Sequence, residues 1–81
     1  MDRPALLGEV EKIVARTLEV EQVTPETSTD TAPEWDSLRH LQLLYAVEEA
    51  FGVRIEPEDA LRLTSVAALC DFVSKRRGGA P

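Results

Sequence analysis

The sequence predicts an all-α fold, a small four-helix bundle made of three main helices and one short helix, with a long loop between helices one and two. Apolar residues recur at helical spacing in three segments, and no segment keeps the two-residue alternation of a half-buried strand. Aromatic residues make up only 5% of the chain (Trp35, Tyr45, Phe51 and Phe72). The core must therefore be built mainly from Leu, Val, Ile and Ala.

The first helix is expected over about Pro4 to Leu18. Leu6, Val10, Ile13, Val14 and Leu18 lie at i, i+4, i+7, i+8 and i+12, one stripe of an amphipathic helix. Asp2 is a suitable N-cap, and Pro4 suits a first turn whose N–H groups lack partners in any case. From about Glu19 to Asp36 this periodicity fails. The run Thr24-Pro25-Glu26-Thr27-Ser28-Thr29-Asp30-Thr31-Ala32-Pro33 is rich in turn formers, with Val20 and Val23 as its expected anchors to the core. A loop of this length in so small a domain is often functional.

The second helix is expected from Ser37 to Phe51. Leu43, Leu44, Val47 and Phe51 form its apolar strip beside a second strip of Leu38, Leu41, Leu44, Tyr45 and Glu48, and Gly52 closes it in the left-handed conformation. After the extended piece Val53-Arg54-Ile55, acidic residues and Pro57 open a short helix to about Arg62. Thr64 or Ser65 caps the last helix, expected to end near Lys75, with Val66, Leu69, Cys70, Phe72 and Val73 facing inward. Residues 1–75 thus make one domain, and residues 76–81 read as a flexible tail.

Composition narrows the function classes. An 81-residue chain has room for one small domain and little for a deep, self-contained active site, so a non-enzyme is expected. The formal charge of −6 argues against nucleic acid, which demands clustered cations. One cysteine and one histidine exclude an internal disulfide and any multi-thiolate metal site. No apolar run approaches the roughly 20 residues of a membrane span, and the N-terminus has no signal-peptide pattern. A cytoplasmic monomer with one buried thiol is expected.

The chemistry-bearing stretch is Trp35-Asp36-Ser37-Leu38, where the loop meets the second helix. A serine at a helix start sits beside unpaired N–H groups and the positive end of the macrodipole, so an anion on its oxygen is favourably placed. The same position suits a serine that is nothing more than an N-cap. His40 shares a helix face with Ser37, but no third member of a nucleophilic triad is evident. His40 fits a surface residue better. Trp35 either packs against the bundle end or meets a partner.

Asp36-Ser37-Leu38, the helix end Val47-Glu48-Glu49-Ala50-Phe51-Gly52-Val53, then Ile55 and Thr64-Ser65-Val66 together resemble the acyl carrier protein family, in order and spacing, over roughly Ala5 to Lys75. The resemblance implies a covalent 4′-phosphopantetheine on Ser37, flanked by Asp36 and Leu38, installed from coenzyme A by a phosphopantetheinyl transferase. Its terminal thiol would hold acyl groups as thioesters. Implied partners are an acyl- or aminoacyl-loading enzyme and ketosynthase, acyltransferase or condensation-type enzymes, docking at Trp35, Arg39, Gln42, Glu48, Glu49 and Val66.

Between Glu34 and Asp59 seven acidic residues stand against Arg39 and Arg54, a face that steers basic partners. Carriers of general fatty acid synthesis commonly have acidic residues where this chain has Arg39 and Gln42, and a glycine where it has Trp35. The resemblance therefore implies a discrete carrier for a dedicated polyketide, nonribosomal peptide or specialised acyl pathway. A stand-alone aminoacyl or peptidyl carrier, and an unmodified helical interaction domain with Ser37 as a cap, are the alternatives.

Overall fold

The computed structural model describes residues 3–78. Its helices are α1 (Arg3–Leu18), α2 (Ser37–Phe51), α3 (Pro57–Ala60) and α4 (Val66–Gly78). The stripe Leu6, Val10, Ile13, Val14 and Leu18 is buried as expected, because α1 packs against both α4 and α2. Leu43, Leu44 and Val47 of α2, with Val66, Leu69, Cys70 and Val73 of α4, complete the centre of the core. No polar or charged residue is buried among the described residues, so the interior is dry aliphatic packing around one indole, Trp35.

The ends of α1 and α2 and the start of α4 each have a local cause. At the end of α1, Glu19 takes a left-handed φ of 57°, and the Val20 N–H donates back to the Ala15 carbonyl at 3.1 Å. This closes the helix in the manner usually left to glycine. At the end of α2, Gly52 does the same at φ 64°, its N–H donating to the Glu48 carbonyl. Ser65 is the residue that caps α4, its hydroxyl accepting from the Ala68 N–H at 3.1 Å.

The long loop is stitched down rather than loose. Threonine and serine hydroxyls fold it on itself: Thr27 Oγ1 accepts from the Thr24 N–H and Thr31 Oγ1 from the Ser28 N–H, both at 2.9 Å. It then crosses to the head of α4 through an antiparallel bridge between Ser28 and Ser65. There the Thr29 N–H donates to the Thr64 carbonyl, and the Val66 N–H donates to that of Thr27, both at 2.9 Å. Val20 and Val23 pack against the core as expected.

Two boundaries differ from expectation. The short helix ends at Ala60 rather than Arg62, its last turn loosening through Leu63, whose N–H reaches the Ala60 carbonyl at 3.4 Å. Conversely, α4 runs through Gly78, so residues 76–78 are helical and not a tail. Arg76 gains partners there, pairing with Asp59 at 3.2 Å and lying 4.9 Å over the Phe72 ring. Phe72 beneath it is only half-buried. The expected Asp2 cap and residues 79–81 of the expected tail lie outside the described residues.

Candidate functional site

The chain enters α2 through two tight turns, with the Trp35 N–H donating to the Ala32 carbonyl and the Asp36 N–H to that of Glu34. Asp36 is extended (φ −94°, ψ −175°) and its Oδ1 accepts from the Arg39 N–H at 2.9 Å. Asp36 is therefore the N-cap, and Ser37 is the first helical residue. This corrects the cap-only reading of Ser37, since the capping bond comes from its neighbour. Ser37 is exposed, and the N–H groups of Ser37 and Leu38 have no acceptor one turn back. An anion esterified to the Ser37 oxygen would meet these donors and the positive helix end.

Below Ser37, the turn is braced on both sides. Arg39 Nη1 donates to the Thr17 carbonyl at 3.0 Å, and its other nitrogen lies 3.7 Å from Glu19. The guanidinium thus satisfies a carbonyl at the negative end of α1. On the other side, Trp35 Nε1 donates to His40 Nδ1 at 2.9 Å, and His40 Nε2 lies 2.9 Å from the Ala60 carbonyl oxygen. Both ring nitrogens of His40 are taken up inside the bundle. It is neither a free surface residue nor a base for Ser37.

The expected docking residues separate under this geometry. Gln42 and Glu49 are exposed and remain open to a partner. Trp35 is only 4% exposed and Val66 is fully buried, so neither offers a docking surface; both belong to the core. Arg39 is largely spent on Thr17. Glu48 is half-buried, its Oε2 accepting from the Ile55 N–H at 2.8 Å and holding the segment after α2.

Four large apolar side chains are instead on the outside: Leu38, Leu41 and Tyr45 along α2, and Leu61, 82% exposed, just after α3. Leu61 had no signal in the sequence, since a single Leu in a short polar segment is as readily core as surface. Cys70 lies fully buried in α4, and burial pushes its thiol pKa up, so it stays a protonated core residue. Among the described residues no cluster of His, Cys, Asp or Glu could hold a metal ion. No helix among them is long and apolar enough to cross a membrane.

Residues 8–73 match the family described as a phosphopantetheine attachment site. The chain belongs to the acyl carrier protein family. An acyl carrier protein of Rubrobacter xylanophilus is 40% identical over 75 residues, covering 90% of this chain and 93% of that one. One from Thermosynechococcus vestitus is 38% identical over 78 residues, covering 94% and 96%. The solution structure of the holo acyl carrier protein from Geobacter metallireducens superposes with a TM-score of 0.79 at 25% identity, covering 90% of this chain and 86% of that one.

As an acyl carrier protein, the chain carries a covalently attached 4′-phosphopantetheine. That group supplies a thiol on a flexible tether.

Proposed function

We propose that Ser37 bears the 4′-phosphopantetheine and that the chain is a discrete, non-catalytic, monomeric carrier for a dedicated pathway, of polyketide, nonribosomal peptide or specialised acyl type. The observation that carries the site is the division of labour at the head of α2. Asp36 caps the helix, which leaves Ser37 exposed at its first position. A phosphopantetheinyl transferase would transfer the phosphopantetheine of coenzyme A to Ser37: the serine oxygen gives up its proton and forms the phosphodiester as the pyrophosphate bond breaks and adenosine 3′,5′-bisphosphate leaves. A loading enzyme would then charge the thiol. The tether then raises the local concentration of the cargo at each partner's active site.

Support for a dedicated pathway comes from the same turn. Arg39 and Gln42 replace negative charge beside Ser37, and Arg39 is bound to the end of α1. A partner selecting for carboxylates at these two positions would find an uncharged amide and an engaged cation. Docking would instead fall to Gln42, Glu49 and the exposed Leu38 and Leu41. Ketosynthase, acyltransferase or condensation-type enzymes with an apolar strip flanked by cations would fit that face.

The test is intact-protein mass after incubation with coenzyme A, magnesium and a broad-specificity transferase. One added arm on the wild type and none on Ser37→Ala is expected. No mass change on a folded wild type would refute the assignment. For the pathway, the loaded protein should be elongated by general fatty acid enzymes far more slowly than their own carrier. Equal rates would refute the dedicated-pathway reading.

A further inference from the structure

The chain of hydrogen bonds from Trp35 through His40 to Ala60 is not needed to expose Ser37, yet it links three parts of the molecule. An indole N–H only donates, so His40 Nδ1 must accept the 2.9 Å bond from Trp35. A neutral ring that accepts at Nδ1 carries its proton at Nε2, and that N–H donates to the Ala60 carbonyl at 2.9 Å. In the other tautomer, or in the charged ring, N–H would face N–H across the Trp35 contact. Trp35, buried and held by the core, therefore selects the ring form that can reach α3.

The segment this bond holds is otherwise anchored by Ala60 packed against the core and by Leu63 buried in it. α3 is four residues long, has no buried residue, and lacks a side-chain bond at its N-cap. Its Asp59 is tied to Arg76 of α4, and His40 supplies the tie to α2. His40 lies one turn after Ser37, so the bond brings the end of α3 level with the first turn of α2. Leu61, the most exposed large apolar side chain described, follows directly on Ala60.

We propose that His40 is a positioning residue for the loading of Ser37: fixed as the Nε2–H tautomer by Trp35, it docks α3 on α2 and so fixes Leu61, the residue after Ala60, as part of the surface the transferase reads. The inference rests on Ser37 being the attachment residue. It concerns the apo protein, since the transferase meets the chain before the arm is attached.

Nitrogen-15 NMR of the apo protein should show the neutral His40 ring protonated at Nε2 and bare at Nδ1. Trp35→Phe keeps an aromatic ring in the core but removes the donor, and His40→Phe removes both bonds. In steady-state loading, Trp35→Phe should raise the transferase's KM for the carrier by about fivefold, the order that one lost hydrogen bond supplies, and His40→Phe by more, with kcat little changed. Leu61→Ser, which leaves the hydrogen bonds intact, should raise KM similarly.

His40→Gln, whose amide offers one acceptor and one donor, should recover part of the loss. Val10→Ala, a core change on α1, should leave KM at the wild-type value in the folded protein. An Nδ1–H tautomer would overturn the proposal. So would an unchanged KM in Trp35→Phe and His40→Phe, or an equal KM rise in Val10→Ala. A wild type that takes up no arm at Ser37 overturns the attachment reading itself, and this inference with it.

Discussion

Along the seam between α1 and α4, buried Leu6, Val10, Ile13 and Val14 belong to the same core cluster as Val66, Leu69, Cys70 and Val73. At the head of α2 the described contacts are mostly directional. Asp36 caps the helix, Arg39 reaches the Thr17 carbonyl, and Trp35 and His40 lead to the Ala60 carbonyl. Apolar burial is favourable but non-directional, and it contributes most of the stability of a domain this size. Hydrogen bonds add less net free energy but specify angle and register. The seam keeps the bundle folded, whereas the head of α2 fixes where an exposed serine sits.

Substitutions at the two regions should therefore fail differently. Leu69→Ala, in the seam, should cost about 3 kcal/mol in urea unfolding, from lost transfer energy and the cavity left behind. The molecules that remain folded should be loaded at the wild-type rate. Asp36→Ala should cost only about 1 kcal/mol, the usual loss for a cap, but should slow loading per folded molecule. Equal loading losses at equal destabilisation would erase the distinction between the regions.

Glu19 lies between them, a non-glycine residue in the left-handed region whose exposed carboxylate sits 3.7 Å from half-buried Arg39. Glu19→Gly relieves the backbone cost and gives up a weak surface pair, so it should stabilise by up to about 1 kcal/mol. A melting temperature higher by a few degrees would show it, and a lower one would assign the Arg39 pair a larger role.

The smallest expected effect is on pH dependence. Burial raises the Cys70 thiol pKa, so the unfolded chain loses this proton first as pH rises. Its contribution is intact below the ordinary thiol range of about 8.5 and is lost as pH climbs towards the raised value. Urea midpoints compared at neutral and alkaline pH should fall less steeply in Cys70→Ala than in the wild type.

The seam was legible in the sequence because helical burial is periodic. The α1 stripe and the inner face of α2 follow from residue spacing alone, as do the Gly52 stop and the family motif at Asp36-Ser37-Leu38. The bracing of the site was not legible, because it depends on single long-range partners. Trp35 sits in a polar, proline-bounded stretch where no period marks it as buried. His40 has the spacing of a neighbour to Ser37, and only the fold shows both of its nitrogens turned to Trp35 and Ala60. The end of α4 was expected too early for the same reason, since Asp59 lies 17 residues before Arg76.

The most direct test of the account is to locate the arm itself. Fragmentation mass spectrometry of the transferase-treated protein should place a single phosphopantetheine on the peptide oxygen-linked at Ser37, next to the intact Asp36 cap. An arm found instead on Ser28, Ser65 or Ser74 would contradict the account at its centre, because those serines lie in the loop, at the α4 cap and within α4.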